Sequence, residues 1–352
     1  MSLSVQIACF AVLPVLSVVV ALATFSDQHR IGLDFTTAYE QAKLVTDGVS
    51  PYASPDTDVS GGSIGAWPIT AILPAVPLTL LPRGVAIWVA TCIALATILA
   101  TLLVLGVRDW RVFGLLLLWA PAIDAYQTAN VSAALGLLVA LAWRYRDRPI
   151  VAGAVLGISV ALKFFLWPVV AWFAVTRRMT AAVIALILAV ASLLLVLPFT
   201  SFGDYARLVR NLSETFDQAS YTPFALLVGL GLPDAPAKAI TIGFGLAVFA
   251  LAWHRRSLTL AIATAFILSP IIWRHYFIVL AVPMAISFPR LHPAWAIPLA
   301  FWLVPGTYNG GTWQVAVALA TAAAALAAAE LRRPVAVALG PTAHIEPKPS
   351  SG

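Results

Sequence analysis

Apolar runs follow one another along almost the whole chain, and the charged residues gather at their ends. Runs of about 20 residues suit a hydrocarbon core roughly 30 Å thick. Only 10% of the 352 residues are charged and 61% are hydrophobic, with a mean hydropathy of +0.93. Soluble domains carry about 25% charged residues, so the chain reads as an all-α polytopic membrane protein. No hydrophilic stretch is long enough for a separate soluble domain. Residues 1–335 are therefore expected to form a single integral membrane domain, followed by a disordered cytoplasmic tail over 336–352. The N-terminal run lacks a basic leader and a clear cleavage site, which predicts a retained first helix. Cys9 and Cys92 are too far apart for a disulfide framework or a metal motif. The net charge of +6 comes from arginines at span ends, which points to membrane anchoring and not to nucleic acid.

About twelve crossings are predicted, at 5–25, 84–107, 112–126, 129–143, 149–162, 166–176, 180–199, 237–253, 257–270, 276–288, 292–305 and 312–331. A loop over 26–66 and a polar loop over 201–220 lie between them, with a short apolar piece at 221–232. Trp67–Leu81 holds three prolines in about 15 residues and reads as a re-entrant or juxtamembrane element. Such backbone survives at membrane depth only when buried in protein or facing water. This topology puts 13 of the 21 Lys and Arg residues on the side of the termini and 8 on the other, while 11 of the 15 acids divide the opposite way. The positive-inside rule then makes both termini cytoplasmic.

Polar residues collect at turns on the outer side. Asp34 follows the first span in the loop GLDFTTAYEQAKLVTDGVSPY, where a carboxylate surfaces at the membrane boundary. It reads either as the N-cap of a helix starting at Phe35 or as a catalytic base. Lys163 interrupts VAGAVLGISVALKFFLWPVVAWF, otherwise a 23-residue apolar run. It is either a snorkelling lysine at a hairpin or a cation for a lipid-linked phosphate. His275, beside Arg274 in SPIIWRHYFIVL, is an interfacial histidine or a phosphate or sugar contact. Gln127 and Asn130 in YQTANVS suit either hydroxyl binding or helix-to-helix bonding, and Asp124 either assists them or ends its helix. Tyr52, Trp67, Trp273 and Tyr308 line the outer edge as interface anchors or sugar platforms. Asp56 and Asp58 are acids that a divalent metal or plain solvent would suit. No nucleotide, zinc-protease or nucleophile-elbow motif occurs.

In order, the chain shows Asp34-Phe35…Tyr39…Gly48…Pro51-Tyr52, Gln127…Asn130, Gly157…Ala161-Leu162-Lys163 and Ser269-Pro270…Trp273…His275. Over about residues 5–331 this order and spacing resembles glycosyltransferase family 87, the polyprenyl-phosphate-mannose-dependent α-1,2-mannosyltransferases of actinobacteria. The family's Gly-Gln-x-Asn is here Tyr126-Gln127-Thr128-Ala129-Asn130, one residue longer between the amides. Tyr276 stands where a second histidine often follows the first, and the paired prolines after the first loop are reduced to Trp67-Pro68.

The resemblance implies a GT-C fold in a bacterial plasma membrane, with an extracytoplasmic site and roles in phosphatidylinositol mannoside and lipomannan assembly. Asp34 would deprotonate the acceptor hydroxyl, Lys163 would hold the donor phosphate, and His275 would help to hold the donor. Arg274, Gln127, Asn130, Tyr39 and Tyr52 complete the expected substrate contacts. The donor would be polyprenyl phosphate mannose, the acceptor a glycolipid, and no metal ligand is assigned. Transfer with inversion needs one base, because a phosphodiester leaves without a protonated acid. A transferase for another polyprenyl phosphate sugar, pentose or glucose, is the nearest alternative. A transporter or flippase is the alternative from another class.

Overall fold

The structure, a computed structural model, describes residues 2–27, 31–61, 64–306 and 309–332. Tyr308, Arg30 and the expected tail at 336–352 lie outside the described residues. Among those described, the elements are helices joined by tight corners, without a strand. Four helices are long and apolar enough to cross a membrane singly: Leu3–Thr24, Arg83–Val104, Asp234–Arg255 and Thr312–Leu331. The pair Ala120–Gln127 and Ser132–Arg144 makes a fifth if its 112° bend is counted within one span. Seven further apolar helices have 10–17 residues. A helix of 14 residues, such as Pro149–Leu162, rises only about 21 Å, so length and composition alone give fewer crossings than the twelve predicted. The chain is a multi-pass membrane protein built of a few long helices and many short ones.

The predicted span at 112–126 is broken. Trp110–Leu117 ends at Leu118, Trp119 is extended, and Ala120–Gln127 begins anew with Pro121 in its first turn. That position suits proline, because its missing N–H would have no partner there. The polar loop expected over 201–220 also departs from expectation, since most of it is the helix Phe202–Phe216, capped by the Ser201 hydroxyl on Asp204 N. Its apolar edge, Tyr205 and Leu208, is buried, while Arg207, Arg210 and Glu214 are exposed.

Small residues set the closest packing. Gly153 and Gly157, four apart on Pro149–Leu162, face Met179–Leu194, where Cβ atoms would come within 2.7 Å of Ala181 O and 2.8 Å of Leu188 Cβ. Hydrocarbon offers no hydrophobic drive between helices, so backbones gain by approaching at such small-residue seams. Gly114 serves the first helix in the same way: a Cβ there would lie 1.9 Å from Phe10 O.

The corners sort into two faces. On one, Asp109 accepts from Arg111 Nε and Nη2 at 2.9 Å each and from Leu291 N at 2.9 Å. The Arg111 guanidinium holds the Asp109 carboxyl down at about 2. Arg178 bonds Asp147 at 2.8 Å, Trp172 Nε1 donates to Arg256 O, and Ser257 bonds Glu330. The candidate residues lie on the opposite face.

Candidate active site

Two corners clasp each other to place Asp34. Gly32 adopts a left-handed φ of 67°, and a Cβ there would meet Ile87 Cγ2 at 2.6 Å, so both conformation and space call for glycine. Gly32 N donates to Gln127 O at 2.6 Å, and Phe35 N donates to Thr128 O at 3.1 Å. Gly32 is the N-cap of the helix Leu33–Thr46, which puts Asp34 in the first turn and corrects its reading as a cap. Its charge there is favoured by the N-terminal end of the helix dipole. Asn130 Nδ2 donates to Asp34 Oδ2 at 2.9 Å, while Asn130 Oδ1 accepts from Ser132 N at 2.8 Å. The extra residue between the two amides, Ala129, is accommodated at a left-handed φ of 48°.

Lys163 occupies the predicted hairpin, extended between Pro149–Leu162 and the short turn Phe164–Leu166. Thr70 Oγ1 donates to Ala161 O at 2.6 Å, which ties the proline-rich segment to this hairpin. That segment is two short pieces, Ile69–Ile72 and Leu73–Leu80, fastened to the loop helix by Tyr39 Oη donating to Leu81 O at 3.0 Å. Lys163 Nζ sits 3.5 Å from the centroid of the Tyr276 ring and 5.6 Å from that of Trp67. Asp34 and Lys163 feel each other's charge, yet no ion pair within 4.0 Å joins them. His275 is buried within electrostatic reach of Lys163, and its Nε2 has no hydrogen-bond partner among the described residues.

The other candidates are drawn into structure. Arg274 grips Asp124 through two hydrogen bonds, 2.6 Å from Nε and 2.7 Å from Nη2, and gives Nη1 to the carbonyls of Val304 and Phe301. Its guanidinium thereby holds Asp124 and two carbonyls, in addition to the substrate contact expected of it. Gln127 Nε2 donates to Ala21 O at 3.2 Å, the helix-to-helix bond that was one of its two readings. Tyr39 is a buried strut, and Tyr52 is buried with its ring edge-on to Tyr205, centroids 5.0 Å apart. Asn130, read as suited to hydroxyl binding or helix-to-helix bonding, bonds the Asp34 carboxylate. Asp58 folds its carboxylate onto Ser60 N at 2.9 Å, and among the described residues no three His, Cys, Asp or Glu side chains gather. Trp67 and Tyr276, read as edge aromatics and a departure from the family pattern, stand against the Lys163 ammonium. Only their sequence neighbours Pro68 and His275 hinted at this.

A helix covers this corner. Along Phe202–Phe216, Tyr205 Oη donates to Ala66 O at 3.3 Å and Asn211 Nδ2 bonds Thr57 O at 3.1 Å. At the far end, the Phe216 ring meets Trp273 edge-on, 6.0 Å between centroids. The helix thus runs from beside Trp67 to beside Arg274–His275.

Comparison with known families decides the class. The family profile described as Glycosyltransferase family 87 matches residues 66–283, more than half of the chain. The chain belongs to glycosyltransferase family 87. No curated protein and no solved structure matches it. In this membrane glycosyltransferase the matched residues include Asn130, Lys163 and His275, while Asp34 lies outside them. The clasp at Gly32 and Phe35 is what carries Asp34 to the matched part.

Proposed function

We propose that this glycosyltransferase moves a sugar, mannose in the first instance, from a polyprenyl phosphate to a hydroxyl of a glycolipid acceptor, with inversion and on the extracytoplasmic side. The observation that carries the reading is the separation of charges: Asn130 holds Asp34, the Tyr276 ring holds Lys163, and no ion pair joins the two. Asn130 occupies Asp34 Oδ2, which leaves Oδ1 for the acceptor.

In this scheme Asp34 takes the acceptor hydroxyl proton as the oxygen attacks the anomeric carbon from the side opposite the phosphate. The bond from that carbon to the phosphate oxygen breaks, and its electron pair stays on the polyprenyl monophosphate. Lys163 stabilises the charge that grows there, and His275 offers Nε2 to the donor. A base held by one hydrogen bond and a cation without a counter-carboxylate favour group transfer over passage of a lipid, since a carrier needs no base.

The test is purified protein incubated with radiolabelled polyprenyl phosphate mannose and a membrane lipid extract, with the product identified. A mannosylated glycolipid in which the linkage is inverted relative to the donor is expected. Transfer only from another polyprenyl phosphate sugar would change the donor, and no transfer from any of them would overturn the reading.

A further inference from the structure

We propose that Trp67 and Tyr276 are positioning residues that hold the Lys163 ammonium against their ring faces, leaving it unpaired with Asp34 and placed for an anion. The inference rests on the reading of Lys163 as the phosphate cation. A lysine set among Leu162, Phe165 and Tyr276, all buried, loses much of its hydration. The common remedy is a carboxylate partner, and Asp34 is the one near enough to act. Pairing with it would cancel the charge that each group contributes. An aromatic face offers another remedy, since its quadrupole attracts a cation by about 0.5–2 kcal/mol and brings no counter-charge.

The geometry suits that role. The Tyr276 ring is fixed from its other neighbours, 5.4 Å between centroids from Phe165 and 4.9 Å from His275, so it cannot turn its face away without moving them. Trp67 is delivered from a different element by the Thr70–Ala161 bond three residues on. Two rings from distant parts of the chain thus meet one ammonium. The ammonium lies 3.5 Å from the Tyr276 centroid, close enough for the ring to act on it directly.

The experiment measures binding of farnesyl phosphate to the purified full-length protein, with farnesol as the chain-only control. Lys163→Met, Tyr276→Leu, Tyr276→Phe, Trp67→Leu and Trp67→Phe are compared, together with Tyr276→Leu and Trp67→Leu made in the Lys163→Met background. Each leucine variant should weaken farnesyl phosphate binding by about 2- to 30-fold, the range that 0.5–2 kcal/mol converts to. The phenylalanine variants, which keep a ring face, should stay within about twofold, and farnesol binding should not move. In the Lys163→Met background the leucine changes should add nothing, because the ammonium they serve is gone.

A leucine effect that persists without Lys163, or that the phenylalanine variants share, overturns the inference and makes the rings mere filling. Leucine variants that bind as well as wild type while Lys163→Met does not would overturn it too, and would leave the Lys163 reading standing. Wild-type binding by Lys163→Met would sink both. Trp67 is half-exposed, so Trp67→Leu keeps the test open if Tyr276→Leu does not fold.

Discussion

Two cation–carboxylate couples lie close together on one face of the molecule, and they are built in opposite ways. Arg274 and Asp124 are closed: two hydrogen bonds of 2.6 and 2.7 Å join them, and Gly306 gives them room because a Cβ there would lie 2.8 Å from Arg274 Nη2. Lys163 and Asp34 are open: one leans on aromatic rings and the other on an amide, and neither touches the other. A planar guanidinium fits a carboxylate through paired bonds, whereas a compact ammonium remains a point charge that can be redirected. The closed couple fixes backbone, and the open one keeps both charges available. Strong polar contact marks the couple that is spent on structure, and its avoidance marks the one still open to a ligand.

The comparison breaks first at Asp34. Asp34→Asn should cut sugar transfer by about 10²- to 10⁴-fold, the usual contribution of a general base, while farnesyl phosphate binding persists. Transfer at the wild-type rate would remove Asp34 as the base. Next comes the closed couple, where Arg274→Met leaves a buried carboxylate without its partner and should cost about 3–5 kcal/mol of stability. A thermal unfolding midpoint equal to wild type, with donor binding lost, would instead make Arg274 a substrate contact. Asn130→Ala removes the bond that aims Asp34. It should lower kcat by about 10- to 10²-fold, the range that 1.5–3 kcal/mol for hydrogen bonds to charged groups converts to, and leave donor KM nearly unchanged.

Gly306→Ala sharpens the contrast, since crowding a closed pair should cost about 1–3 kcal/mol, seen in the unfolding midpoint. The smallest effect lies on the opposite face, where Asp109 and Arg111 form another closed couple. Because the folded Asp109 carboxyl is held at about 2, below its ordinary value of 3.8, its stabilising share is complete above about pH 4. That share fades as pH falls toward 2. The acid-side midpoint curves of wild type and Asp109→Asn should therefore converge over that interval.

Much of this was legible in the residues, and the rest was hidden for physical reasons. Lys163 announced itself because a charge inside a 23-residue apolar run demands an explanation. Asp34 was read as a cap or a base, and the cap proved to be Gly32 two residues earlier, since a carboxylate in a first helical turn looks the same as a cap. The helix Phe202–Phe216 was read as a loop because polar and charged residues are spread along its whole length. Only the spacing of Tyr205, Leu208, Leu212 and Phe216 marked one buried edge. Gly153 and Gly157 carried a packing signal that the hydropathy of the run concealed. The partnership of Arg274 with Asp124 spans 150 positions, and nothing local records it. Trp67 and Tyr276 were hardest, because an aromatic at a membrane boundary has an ordinary explanation already.

Two main-chain bonds join the Gly32–Phe35 corner to the Gln127–Thr128 corner, beside the side-chain bond from Asn130 to Asp34. A weld of that kind is blind to which amino acids drift through it, so long as Gly32 keeps its unusual turn. Side chains in the residues before the matched part can then vary and still leave Asp34 at the same spot. A candidate carboxylate outside the matched residues is thus set in place by backbone geometry.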